Sequence, residues 1–266
     1  MNAKQMDIRR YPGLGPYTVF FFAFLYVPIL VVIAYAFNSN KLVTVWDGFS
    51  TEWFGKVFAD EELRQTAKNS LIVAVCATIV STSVATLAAV SIATWGRRTR
   101  GLATGLLAAP LFVPEIISAV ATLSFFALLK VDRNLRTVIL AHIVFCIPFA
   151  FLPVRARLAS LDHRWFEAAV DLGARRATVL RRITIPLLGP GILSGALLAF
   201  VISLDDFLIT FFVSGPDSET LPVYIFGMIK NGITPKVNAV STMLVLVSTV
   251  LVILSFAVSR IQRRNT

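Results

Sequence analysis

Residues Ser160–Pro186 read SLDHRWFEAAVDLGARRATVLRRITIP, a polar segment set between strongly apolar stretches. Its pattern predicts two short helices. Ser160 or Asp162 supplies the N-cap and Trp165 to Leu172 forms the first helix. Gly173 ends it, because a residue without a Cβ accepts the left-handed conformation that closes helices. Ala177 to Ile185 forms the second, with Pro186 as its stop. Trp165, Ala169 and Leu172 make one apolar stripe at three-to-four spacing. Ala168 and Ala169 are small enough for another backbone to approach closely. Periodicity alone leaves two readings open: a docking helix for another protein, or an amphipathic helix lying on lipid headgroups.

Outward from this segment the chain is 56% hydrophobic and only 15% charged, where a soluble protein keeps roughly a quarter of its residues charged. The mean hydropathy is +0.76. A helix needs about 20 mostly apolar residues to cross a bilayer. Six stretches qualify, at 17–37, 69–94, 103–129, 136–157, 187–213 and 238–259. The expectation is an all-α membrane protein of about six transmembrane helices, forming one domain over 1–266, with the cytosolic loop at about 158–186. Pro110, Pro114, Pro148, Pro153 and Pro190 predict kinks in the third, fourth and fifth stretches. Small residues recur through the second, third and fifth, as close packing in lipid requires.

Charge sets the expected orientation. With the N-terminus inside, the cytosolic segments hold sixteen Lys and Arg: Lys4, Arg9 and Arg10; Arg97, Arg98 and Arg100; seven from Arg155 to Arg182; and Arg260, Arg263 and Arg264. The other side holds nine, in larger loops that also carry acids. Both termini are therefore expected in the cytoplasm. The net charge of +10 then records topology and membrane lipid, not nucleic acid. Lys4, Arg9 and Arg10 before an apolar run resemble a signal peptide. The 21 residues from Tyr17 to Phe37 exceed a signal core, and no small-x-small cleavage site follows. A retained first helix is expected. Cys76 and Cys146 lie 70 residues apart in apolar runs and form neither a disulfide nor a metal framework. No GxxxxGK[ST] phosphate loop is present, so energy for uphill transport has to come from another chain or an ion.

Within the opening segment, Glu167-Ala168-Ala169, three residues, Gly173, nine residues, then Ile183-x-Ile185-Pro186 resembles the EAA loop of bacterial ABC-importer permeases. Every spacing matches that pattern. Ile185 replaces its leucine, a volume-conserving departure. The resemblance implies the type I importer permease fold and a coupling helix in which Glu167, Ala168, Ala169 and Gly173 engage an ATPase subunit. Phe37-Asn38-Ser39-Asn40-Lys41 with the following residues to Phe54, Ser203-Leu204-Asp205-Asp206-Phe207, and Val213-Ser214-Gly215-Pro216 are similar to the second permease subunit of spermidine/putrescine importers. That kinship implies a bacterial inner-membrane complex with a homologous second permease, two ATPase subunits and a periplasmic substrate-binding protein. It implies no cofactor on this chain; ATP and magnesium belong to the partner ATPase.

Three acids fall inside spanning stretches: Glu115, Asp205 and Asp206. An acid near the bilayer centre costs about 2.5–3.5 kcal/mol on insertion scales, so such residues usually face a cavity or a partner. On a continuous helix Asp206 extends the small and polar stripe Gly195, Ala199, Ser203 and Thr210, while Asp205 sits about 100° away among large apolar residues. Glu115 shares a stripe with Ala108, Ser118, Ala119 and Thr122. The expectation places Asp206, Glu115, Ser203 and Thr210 along a translocation path, with Asp205 as a further path candidate whose face better suits a bond to a neighbouring helix or the partner subunit. Separated carboxylates suit an organic diamine that must shed water yet be released. His142 reads as a packing histidine or a path residue. Trp46, Phe49, Trp53 and Phe54 read as an interfacial belt or a cation-stacking surface. The outer loop Ser214 to Lys236 is long enough to meet a binding protein.

Three other functions compete. The same machine could carry ferric ion or thiamine. A proton-coupled secondary transporter could use Asp206 and Glu115 as a relay, which leaves the EAA-type loop without a purpose. A membrane-embedded enzyme lacks a recognisable catalytic set, having only His142, His163 and the two cysteines.

Overall fold

In the computed structural model the described residues are 14–41, 45–162, 164–232 and 234–264, with side chains described for these except 14 and 251–264. Lys4, Arg9, Arg10 and His163 lie outside them, as do the side chains of Arg260, Arg263 and Arg264. Among the described residues the chain is helical, with one isolated antiparallel bridge between Asn38 and Phe49. The described residues divide into two compact units: those within 14–60 and 228–247, and those within 61–227 and 248–264.

The first unit contains α1 (Leu14–Tyr35), α2 (Glu52–Ala59) and the beginning of α12 (Pro235–Arg264). α1 is apolar all round and almost wholly exposed, as lipid-facing helices are. The loop after it is knotted around Asn38, which is fully buried. Asn38 donates to the Val45 carbonyl at 2.6 Å and accepts from the amide of Asp47 at 3.0 Å. Its own carbonyl accepts from the indole of Trp53 at 2.8 Å. Phe37 stacks on Phe49 at 5.2 Å and packs on Phe54 at 4.9 Å. The aromatic residues read as a belt or a stacking surface therefore largely build this loop. Lys236 pairs with Asp60, joining α12 to the end of α2.

The second unit is built on α3 (Glu61–Ala93), α6 (Leu135–Ala159) and α9 (Ile185–Asp205), which pack against one another. Their shared core is made mostly of small residues: Ala85 and Ala89 of α3, Cys146 and Ala150 of α6, and Ala199 of α9, with Phe151 and Leu188 filling the gaps. Lipid gives no hydrophobic drive for helices to associate, so close approach and dispersion have to supply it. Gly195 marks a close approach of backbone to backbone: a Cβ there would sit 2.6 Å from the carbonyl oxygen of Ala150. α3 has 33 residues and extends about 50 Å, well beyond a bilayer core. Its Asn69 donates to the carbonyls of Asp217 and Glu219 at 3.1 and 3.0 Å, pinning the outer loop.

Four described helices are long and apolar enough to cross a membrane: Gly15–Tyr35, Glu61–Ala93, Leu135–Ala159 and the continuous run Arg176–Asp205. A fifth span forms if α4 (Arg97–Ala108), its 3₁₀ extension Ala109–Phe112 and α5 (Glu115–Leu128) are taken together across a 101° bend. The sixth expected stretch, 238–259, lies in α12, whose side chains are described only to residue 250.

Three expected helix boundaries differ. The stretch 103–129 is broken, because Pro114 has no amide to donate and pushes Val113 to an extended ψ of 130°. The stretch 187–213 is broken after Asp205, with α10 (Leu208–Val213) following a new start. Pro186, in contrast, stops nothing: α8 (Arg176–Val179) leads through a π turn at Leu180–Thr184 directly into α9. The wider turn relieves the clash of the proline ring with the turn before it. Pro148 and Pro153 also lie inside an unbroken α6.

Candidate functional site

The two helix breaks of the second unit meet. Glu115 is the first residue of α5, immediately after one break. Asp205 ends α9 at the other, and α10 packs against α5. Glu115, Asp205 and Asp206 line one open cleft of about 390 Å³ with Phe145, Phe149, Phe207, Val201, Ile202 and Leu208. Glu115 and Asp206 thus share the wall of this cleft, one from each break. Phe145 and Phe149, one turn apart on α6, are edge-packed at 5.3 Å. Negative charge at the C-terminal end of α9 adds to the negative end of its dipole, a combination that attracts cations. Aromatic faces around it suit an ammonium group.

The roles of the two aspartates follow from the break. Asp205 is exposed at the cleft, whereas Asp206 is buried at 5% exposure. Asp206 has an extended ψ of 128°, and its carboxylate accepts the amides of Ile209 at 3.3 Å and Thr210 at 3.0 Å. It thereby satisfies the free N–H groups that begin α10. Its Oδ2 also takes the hydroxyl of Thr210 at 3.2 Å and lies 3.2 Å from Nε2 of His142. The 100° separation argued for a continuous helix no longer applies, and the exposed charge is Asp205. Ser203 and Thr210 are buried and engaged with His142, at 2.8 and 2.9 Å, instead of lining the cleft. Glu115 is half-buried at the rim.

Phe145, Phe149 and Phe207 are participants that sequence reasoning did not assign, and His142 is one it left open between packing and the path. The spacing of Phe145 and Phe149 was visible, but nothing local set them beside acids some 60 residues on. His142 is fully buried, as packing histidines are, yet each ring nitrogen meets polar groups.

At the other end of the unit, α7 (Arg164–Asp171) begins at Asp162, whose carboxylate accepts the amide of Arg164 at 3.0 Å. Ser160 instead ends α6, donating to the Arg157 carbonyl. Gly173 has φ of 77°, and the paired bonds Gly173 to Val170 at 2.9 Å and Ala174 to Ala169 at 3.0 Å close the helix as a Schellman turn. Glu167, Ala168 and Gly173 are exposed, while Ala169 faces inward. The stripe is thus divided: Ala169 packs within the chain, and Trp165 and Leu172 remain 64% and 88% exposed.

Residues 81–266 match the family described as "Binding-protein-dependent transport system inner membrane component". The chain belongs to this family. The permease is 37% identical over 246 residues to the spermidine/putrescine transport system permease protein PotC of Escherichia coli, covering 92% of the permease and 93% of that relative. It is 40% identical over 231 residues to the putrescine transport system permease protein PotI of the same organism, covering 84% and 82%. Among solved structures, the permease resembles a bacterial ABC transporter involved in import of the acidic polysaccharide alginate, at TM-score 0.74 and 19% identity over 92% of each chain. A second alginate transporter structure, in complex with an alginate pentasaccharide-bound periplasmic protein, matches at TM-score 0.71 and 19% identity over 95% and 93%. The permease is therefore a multi-pass inner-membrane transport component with the type I importer fold. One fold serving an acidic polysaccharide elsewhere means that the cargo has to be argued from the cleft.

Proposed function

We propose that this permease forms half of the translocation path of an ATP-driven importer for polyamines, putrescine and spermidine. The observation that carries the proposal is the cleft at the two helix breaks, where Glu115 and Asp205 stand beside Phe145, Phe149 and Phe207. A diamine entering a narrow passage loses hydration, which carboxylates and aromatic faces replace. Its methylene spacer fits an apolar wall between charges. The names of the relatives support the same cargo. A binding-protein-dependent family disfavours the proton-coupled alternative.

In this reading a loaded periplasmic protein delivers the amine to the outer face, and a homologous second permease completes the path. Two ATPase subunits, carrying ATP and magnesium, drive the change of access. The exposed face of α7, with Trp165, Glu167, Ala168 and Leu172 and its Gly173 turn, docks into an ATPase subunit. Both termini lie in the cytoplasm, in line with the Lys and Arg bias. Uptake of labelled putrescine and spermidine by the assembled complex in proteoliposomes, with unlabelled competitors, tests the cargo. Competition by either polyamine but not by thiamine or ferric ion is expected. Competition by thiamine or ferric ion, or no polyamine uptake, contradicts it.

A further inference from the structure

The break between α9 and α10 is held from outside, by a residue of α6. Nδ1 of His142 lies 2.8 Å from the Ser203 hydroxyl, on the α9 side of the break. Its Nε2 lies 2.9 Å from the Thr210 hydroxyl and 3.2 Å from Asp206 Oδ2, on the α10 side. One proton arrangement satisfies all of these groups. Ser203 donates to Nδ1, and the Nε2 hydrogen is shared between the Thr210 oxygen and the Asp206 carboxylate. The Thr210 hydroxyl hydrogen is then free to donate to Asp206 Oδ2, at 3.2 Å. Ring, hydroxyls and carboxylate are all buried. An imidazole with both nitrogens engaged across a helix interruption restrains it far more than packing alone.

We propose that His142 is a positioning residue for the cleft, bracing the α9–α10 break so that Asp205 and Phe207 present a fixed charge and ring to the passing cation. The inference rests on the polyamine reading of the cleft. Asp205 and Phe207 are the two immediate neighbours of Asp206, so its restraint sets their backbone. The Asp206 side of the ring matters most, because Asp206 caps α10 as well. The groups that face the ring are Ser203 from α9, Asp206 from the break and Thr210 from α10, with the Glu115 carboxyl of α5 beyond Asp206.

The geometry distinguishes amide replacements. A glutamine amide reaches the Nε2 position and keeps the bond toward Asp206 and Thr210. An asparagine amide reaches only the Nδ1 position and keeps Ser203. The test measures polyamine taken up per ATP hydrolysed, normalised to assembled complex in proteoliposomes, for His142→Gln, His142→Asn and His142→Ala. Loss of a hydrogen bond to a charged group predicts about a tenfold fall for His142→Asn and His142→Ala. His142→Gln is expected to stay within about threefold of wild type. Equal behaviour of the Gln and Asn variants, or ratios unchanged in all three, overturns the proposal. If no His142 variant assembles, Thr210→Val removes the bridging hydroxyl without changing volume and is expected to lower the ratio similarly; an unchanged ratio overturns it. Asp205→Asn, run alongside, separates the two readings. If Asp205→Asn lowers the ratio and His142→Asn does not, the brace is wrong and the cleft stands. If Asp205→Asn has no effect, the cleft reading itself fails.

Discussion

Asp205 and Asp206 are neighbours in sequence with opposite situations: one exposed at the cleft, the other buried with its oxygens committed to two amides, a hydroxyl and an imidazole. Asp206→Ala leaves those donors unpaired and is expected to destabilise the permease by about 1–3 kcal/mol. Asp205→Ala is expected to change stability by less than about 0.5 kcal/mol, as exposed substitutions do. Thermal melts of the detergent-purified complex check the contrast, and equal losses would remove Asp206 from its capping role. Gly195→Val makes a similar point by shape. With a Cβ 2.6 Å from the Ala150 carbonyl, α6 and α9 have to separate, at about 1–3 kcal/mol. The same melt reads that loss.

The helical elements show what sequence reveals and what it hides. Long apolar runs, Gly173 as a left-handed terminus and the small-residue core all follow from local rules and could be read directly. The two breaks could not. Hydropathy sums over a window, so 103–129 and 187–213 look continuous even though the backbone turns at Val113–Pro114 and Asp206–Phe207. The facial argument about the acids assumed unbroken helices, and so could not separate Asp205, exposed at the cleft, from Asp206, buried in its wall. His142 was hidden differently: its partner Ser203 is 61 residues away, a separation set by packing and not by spacing. Pro186 shows the reverse error, since a π turn lets a helix pass a proline that local rules treat as a stop. At the cytosolic end, Trp165 and Leu172 support no described core at 64% and 88% exposure. Trp165→Ser with Leu172→Ser is expected to leave the melting temperature of the permease unchanged. ATPase subunits recovered by pull-down should fall about tenfold or more, as loss of an apolar anchor commonly does. Undiminished recovery would show that α7 docks elsewhere.

For the whole molecule, the family fixes the machine and the cleft argues for the cargo. The alginate transporters share the fold at 19% identity, so helices packed this way do not choose between an acidic sugar and a cationic amine. We propose that charge and aromatic content at the two breaks do. The most direct measurement is the amount of putrescine imported per ATP hydrolysed by the reconstituted complex carrying Glu115→Gln and Asp205→Asn together. Removing both carboxylates should lower that ratio by at least about 100-fold at undiminished ATP hydrolysis, since each lost charge-assisted contact weighs about 1.5–3 kcal/mol. A double variant that imports putrescine per ATP as the wild type does would contradict a cation path through this cleft.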